Sequence, residues 1–172
     1  MLTDSTVEIT TYGDLACGDL FIFELSGRQR IGMKVASKGH PSDAPNSDVL
    51  ELRDDGPPTL FPANLLKGRR IVAKMKNLAF SVRPNARELI FNHDDDRVRR
   101  QQEGCAFLIG NDVYLVAEVK DEGVSFVNMK TGDGTPTIPS RDDAIVVLRW
   151  QIIQIIGDKE TPWIEYTVPS RG

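Results

Sequence analysis

The sequence predicts an all-β protein made of two small barrels in tandem. Val, Ile and Thr, which favour extended backbone, together number 37 of the 172 residues, against 10 Ala. Ten Pro and 14 Gly divide the chain into segments as short as strands usually are. A similar order of segments recurs in the second half, which indicates an internal duplication.

In the first half, short apolar segments alternate with turn residues. Residues 26–27, a Ser-Gly pair, separate two predicted strands. The segment 70–76 alternates so that Ile71, Ala73 and Met75 share one face. We predict strands over 19–25, 30–36, 48–53 and 70–76, followed by a hairpin of 78–82 with 87–91.

The second half repeats this arrangement. Gly110 and Asn111 tolerate the positive φ that a two-residue hairpin loop requires. We predict strands over 105–109, 112–119, 124–129, 144–156 and 163–168.

The two halves also align segment by segment. Leu20–Ile22 corresponds to Phe107–Ile109, and Ile71–Met75 corresponds to Ile145–Arg149. Each copy resembles a small, partly open barrel of the SH3-like or OB-like type, and barrels this small are expected to pack on each other for stability. The predicted division is a first barrel over 1–92 with an extended loop at 37–47, a polar linker or short helix over 93–103, and a second barrel over 104–172.

The densest group of potential metal ligands lies in this linker, at His93, Asp94, Asp95 and Asp96. Acidic residues at its start and arginines near its end match the charge preference of a short helix, which explains the aspartates without a metal. No calcium-loop pattern follows them. We predict no metal and no cofactor, with a metal-dependent enzyme as the remaining alternative for this cluster.

No motif for nucleophilic catalysis is present. The chain has neither a G-x-S-x-G elbow nor a glycine-rich phosphate loop. Cys17 and Cys105 each open an apolar strand, a position typical of buried thiols, so we expect two reduced, packed cysteines. A disulfide between them is the alternative. We predict that the protein is not an enzyme and has no catalytic residue.

Charge and hydropathy restrict the partners. The net charge is −4, which disfavours a general nucleic-acid binder. Residues 1–86 hold 11 basic and 10 acidic side chains, whereas residues 87–172 hold 10 and 15. The N-terminus lacks the basic start and apolar stretch of a secretory signal, and no apolar run is long enough to span a membrane. We expect a soluble cytoplasmic protein, or a virion protein if the source is viral.

The most basic feature is a group formed by Arg69, Arg70, Lys74 and Lys76, which we call the basic row. On a strand, the last three share one face and could meet phosphates or an acidic protein surface. The alternative is a solvated face whose charges protect an edge strand from mispairing.

The most apolar segment is 144–156. A strand that is apolar on both faces must be covered on both. One cover is its own barrel core, and the other is the sister barrel or another subunit. The predicted interface residues are Val146, Leu148, Trp150, Ile153 and Ile155.

Together these features favour a non-catalytic binding or assembly module that acts through a protein partner or self-association. A component of a larger particle, such as a phage structural or accessory protein, is a natural example. The alternative function is nucleic-acid binding through the basic row of the first barrel.

Overall fold

Strands make up most of the structure. The computed structural model describes residues 7–36, 47–62, 66, 70–82, 89–90, 102–119, 123–138 and 144–169. Of these residues, 66% lie in strands and 3% in helix, the latter a 3₁₀ turn at Tyr12–Asp14. The all-β fold predicted from the sequence is confirmed.

The strands are numbered in chain order. The first eight are β1 (Val7–Thr11), β2 (Leu20–Leu25), β3 (Arg28–Ala36), β4 (Ser47–Leu52), β5 (Thr59–Pro62), β6 (Ile71–Met75), β7 (Leu78–Ser81) and β8 (Leu89–Ile90). The others are β9 (Ala106–Ile109), β10 (Asp112–Val119), β11 (Gly123–Asn128), β12 (Gly134–Thr135), β13 (Ile145–Val147), β14 (Arg149–Ile156) and β15 (Lys159–Thr167).

The same order of antiparallel pairings occurs in both halves of the chain. Strands β2 to β5 each pair with the next, and β6 returns to pair with β2. Strands β9 to β12 do likewise, and β13 returns to pair with β9. The segments aligned by sequence, β2 with β9 and β6 with β13, thus have equivalent places in the pairing order.

One large sheet joins the two halves. Strands β5 and β10 pair in parallel, and the N–H of Glu118 donates to the carbonyl of Pro58 at 2.8 Å. The resulting sheet has 12 strands, and a second sheet contains β15, β14 and β7. Neither sheet closes into a barrel. The prediction of two small barrels is therefore confirmed only as far as the all-β class.

Two strands of the first half pair with strands of the second. β7 pairs with β14, and β8 pairs with β13. The predicted hairpin of 78–82 with 87–91 is therefore wrong for the described residues, because β7 and β8 lie in different sheets. The predicted domain boundaries at 92 and 104 stay a prediction.

Loops from the two halves touch backbone to backbone at a pair of glycines. A Cβ added to Gly132, which has φ +72°, would lie 2.4 Å from the Gly18 nitrogen and 2.6 Å from the Lys34 oxygen. The N–H of Ala36 donates to the Gly132 carbonyl at 2.7 Å. Only glycine fits this approach, so the contact holds the two halves in one arrangement.

The buried side chains form two cores, one on each face of the first-half strands. The smaller core contains Phe21, Phe23, Val49 and Val72 and belongs to the first half alone. The larger core contains residues of both halves, among them Leu20 and Phe107. Since the larger core contains side chains from both halves, its hydrophobic burial stabilises the association of the halves.

Candidate functional site

The residues considered for metal binding or covalent chemistry are not gathered into a site. Among the ranges that the structure describes, no group of three or more His, Cys, Asp or Glu could hold a metal ion. The predicted linker residues from 93 to 101 and His40 lie outside the described residues.

Cys105 is buried as predicted, but Cys17 is exposed, so the expectation of two packed thiols is wrong for Cys17. Cys17 lies in the loop before β2 and not in the strand itself. No disulfide joins the two cysteines.

In the part of the chain that the structure describes, no helix has the length and apolar character needed to cross a membrane.

The basic row is largely occupied by contacts within the chain. The Lys74 Nζ lies 2.6 Å from Asp19 Oδ2, and the Lys76 Nζ lies 3.1 Å from Glu8 Oε2. Arg70 donates from Nη2 to the carbonyl of Glu24, and Arg69 lies outside the described residues. These acidic partners lower the positive charge that the row offers to a phosphate backbone.

The face of β6 that carries the basic row is only partly exposed to solvent. Val72, on the same face as Lys74, is only 3% exposed because it packs in the smaller core. On the other face Ile71 is 70% exposed, while Met75 at the far end of β6 is buried. Burial along β6 therefore does not follow the predicted division into an apolar and a basic face.

The predicted interface residues are mostly covered by the chain itself. Val146, Leu148, Trp150 and Ile153 are buried, whereas Ile155 is more than a third exposed. Val146 lies between Ile90 and Phe107 on the neighbouring strands, and Ile153 lies opposite Ala79. The segment bends at Leu148 and passes from the large sheet into the small one. The neighbouring strands that bury residues 146–153 therefore come from both halves of the same chain.

Three exposed apolar side chains lie together on β1 and β6, and we call them the apolar edge: Val7, Ile9 and Ile71. In the register of β1 with β6, Ile9 is opposite Ala73 and Thr11 is opposite Ile71, so the three share one face. Ile9 and Ile71 are 69% and 70% exposed. Among the described strands, β1 pairs only with β6.

A second exposed apolar region is the end of the β14–β15 hairpin. Ile155 and Ile156 precede the turn, and every residue from 155 to 163 is exposed. Of the large hydrophobic side chains in the described ranges, the exposed ones are Val7, Ile9, Ile71, Ile155, Ile156 and Trp163. All six thus belong either to the apolar edge or to this hairpin.

An open cleft of about 400 Å³ lies between the β2–β3 hairpin, the end of β4 and the middle of β15. We call it the arginine cleft, because Arg28, Arg30 and Arg53 contribute to its lining. Asp54, Asp55 and Trp163 also line it. Its floor is apolar and includes Ile22, Ile31 and Leu52.

The three arginines of the cleft differ in their partners. Arg30 Nη1 lies 2.5 Å from the buried Glu51 Oε1, so its charge is neutralised. Arg53 donates from Nη2 to two neutral acceptors, the Pro57 carbonyl at 3.1 Å and the Thr59 hydroxyl at 2.8 Å. Its buried Nε has no hydrogen-bond partner among the described atoms. Arg28 is exposed and forms no ion pair within the described ranges.

Sequence reasoning missed the arginine cleft. Arg28 and Arg30 are two residues apart, but Arg53 follows much later and Trp163 belongs to the other half. No local periodicity connects residues so far apart, because their proximity depends on how β15 packs against the first half.

Comparison with models of known protein families, with curated proteins and with solved structures found no match to this chain.

Proposed function

We propose that this protein is a non-catalytic binding or assembly module, which acts through protein–protein contacts made along β1. The partner adds an extended segment to the outer edge of β1 and covers the apolar edge with its own apolar side chains. The observation that carries this proposal is the position of the exposed large hydrophobic residues, which are concentrated in two regions instead of being scattered.

The register of β1 supports strand addition. Four of the five residues of the strand Val7–Thr11 have strong β preference, and the strand has no proline. Its second edge pairs with no described strand, and it therefore presents backbone donors and acceptors in the pattern that strand addition uses. Natural edge strands are usually protected by inward charges, bulges or prolines. The face of β1 that carries Val7 and Ile9 has none of these.

Charge favours a protein over a nucleic acid as the partner. Lys74 and Lys76 pair with carboxylates, and the net charge of the chain is −4. Nucleic-acid binding through the basic row would require these ion pairs to break, or the row to work with reduced charge.

We also propose that the two halves derive from the duplication of an SH3-like or OB-like unit of five strands. The shared order of pairings, β2 to β6 and β9 to β13, supports this origin. Superposition of one set of five strands on the other tests it, and failure of the strand pairs to overlay contradicts it. A cytoplasmic or virion particle, such as a phage assembly, is the setting we propose for such a module.

Ile9→Asp tests the proposed docking along β1. Because Ile9 is exposed, the variant is expected to keep the wild-type melting temperature, while a charge in the apolar contact weakens docking by at least tenfold. Asn111→Asp, an exposed turn residue on another hairpin, is the matched control.

The measurement is the size of the complex that holds the tagged protein in its native host, together with sedimentation of the purified chain. We expect the wild type and Asn111→Asp in a species larger than the single chain, and Ile9→Asp as the single chain. A wild type that sediments as a single chain in both settings overturns the proposal, as does an Ile9→Asp variant that stays in the large species.

A further inference from the structure

We infer that the arginine cleft is a binding site for a guanine mononucleotide, with the phosphate at Arg28 and the base on Trp163. This site is independent of the proposed docking along β1, because the cleft shares no residue with the apolar edge.

The dimensions of the cleft suit a small ligand. At about 400 Å³ it falls within the usual range for ligand pockets, near the lower end. It lies between the first half and the C-terminal hairpin, where an apolar floor meets several polar side chains. Convergent polar groups over an apolar floor are typical of sites that orient a ligand.

One guanidinium group at the cleft is available to a ligand. Arg28 is exposed without an ion pair among the described residues. Arg53 is not available in this way, because its Nη2 already donates to Pro57 and Thr59 and its Nε is buried. A guanidinium binds a phosphate through two parallel N–H donors, which a lysine cannot reproduce. Arg30 is already paired with Glu51 and serves to hold the wall of the cleft.

The acidic residues restrict the ligand further. Asp54 and Asp55 are exposed on the same lining, and they would repel a ligand that is anionic throughout. A carboxylate can accept two N–H donors side by side, and the Watson–Crick edge of guanine presents such a pair at N1 and N2. A ligand with a phosphate at one end and this donor edge at the other satisfies both signs of charge.

Trp163 provides the surface for the base. Its indole is 42% exposed and lines the cleft, although large aromatic side chains are usually covered. Stacking of a base on an exposed aromatic ring stabilises nucleotide binding, and every base has a face for it. Stacking therefore provides affinity, and the aspartates provide the preference for guanine.

Tryptophan fluorescence of the full chain during titration with GMP tests the site. The chain has two tryptophans, and Trp150 is buried, so a quench caused by a ligand in the cleft reports on Trp163. We expect a saturable quench below about 1 mM GMP, and we expect it to be absent in Trp163→Phe. Calorimetry confirms that heat and quench saturate together.

Matched variants separate a specific site from general attraction. Arg28→Gln should weaken GMP binding about tenfold, whereas Lys76→Gln, which removes the same charge outside the cleft, should change it less than twofold. Asp54→Asn/Asp55→Asn should remove a preference of at least about fivefold for GMP over AMP. Arg28 and the two aspartates are exposed, so these variants are expected to fold.

Several results overturn the inference. They are no saturable signal with GMP, an equal loss in Arg28→Gln and Lys76→Gln, and equal affinity for GMP and AMP. Inorganic phosphate or guanosine binding as tightly as GMP also overturns it, because the site would then recognise only one end of the ligand. The 5′ end of a single-stranded RNA presents the same groups as GMP. A trinucleotide that begins with 5′-GMP, if it binds more tightly than GMP, identifies that source and supports the site.

Discussion

Strands β6 and β13 have the same place in the pairing order of the two halves, yet their surroundings differ. β6 lies between β2 and the edge strand β1, and its first residue, Ile71, is mostly exposed. β13 lies between β9 and β8, and both Val146 and Val147 are fully buried. Equivalent backbone pairing therefore does not determine burial. What covers the faces of a strand determines it, and β13 is covered because the chain continues into a second sheet.

The charged residues follow this difference in cover. Lys74 and Lys76 belong to β6 and the turn after it, and each reaches an acidic partner at the surface. The three residues of β13 are all aliphatic. A strand with one solvent-exposed face can carry lysines, whereas a strand that is buried on both faces cannot hold an unpaired charge.

The largest expected effect comes from a charge placed in each strand. Val146→Asp should abolish folding or cost more than about 4 kcal/mol, because the carboxylate has no partner in a dry core. Ile71→Asp should change the free energy of unfolding by less than about 0.5 kcal/mol, since the side chain is exposed.

Urea denaturation measures both variants. If Val146→Asp does not fold, Val146→Ala keeps the comparison measurable, with an expected loss of about 2 kcal/mol. If Val146→Asp and Ile71→Asp lowered the free energy of unfolding equally, the two strands would have equivalent surroundings.

The next effect concerns the glycine contact that joins the two halves. Gly132→Ala should cost about 3 kcal/mol or more, because the new Cβ meets backbone atoms that cannot move independently and the φ is positive. Gly110→Ala, with φ +59° and nothing within 4 Å of the added Cβ, should cost only about 1 kcal/mol. Thermal unfolding compares the two. A similar loss in both would mean that the loops of the two halves separate easily.

A smaller effect is expected at the aromatic stack of the second sheet. Trp150 lies 5.5 Å from Phe80 and 5.3 Å from Tyr166 between ring centroids, and its Nε1 donates to the buried Gly104 carbonyl at 3.0 Å. Trp150→Phe keeps an aromatic ring but leaves that carbonyl without its donor, so we expect a loss of about 2 kcal/mol. Trp163→Phe is the exposed control and should be close to neutral in chemical denaturation. A neutral Trp150→Phe would mean that this hydrogen bond is not needed for the fold.

The smallest effect is a dependence of stability on alkaline pH. Burial raises the pKa of Tyr166 above its ordinary value of 10.0, Cys105 and Glu103 raise it further, and Arg53 acts in the opposite direction. The folded state therefore retains the phenol proton where the unfolded state has lost it. The stabilisation is complete below pH 10 and is lost as the pH rises from the unfolded pKa through the folded one.

Tyr166→Phe removes this group. Between pH 9 and pH 11 its free energy of unfolding should fall less steeply than that of the wild type. Parallel urea curves at each pH measure the difference, and identical slopes would show that the ring is not shielded from water.

The local part of the fold was predictable, and the candidate site was not. Strand positions followed from alternation and from turn residues such as the Gly110–Asn111 pair. The arginine cleft needs Arg28 and Arg53 beside Trp163, and the contact between these segments has no signature in the sequence around any of them. The predicted interface residues were correctly taken as apolar, but their cover is the same chain for all but Ile155.

The pattern of residues along the chain was enough to predict an all-β fold, the position of most strands, and similar segments in the same order in both halves. Side-chain periodicity and turn chemistry act over a few residues, so both can be recognised in the sequence alone. The pattern did not predict that β5 joins β10, that β7 and β8 pair with β14 and β13, or that the sheets stay open, because these features depend on how distant segments pack. Edge pairing uses backbone groups that nearly every residue carries, and its partners are selected by the total apolar surface that the whole chain can bury.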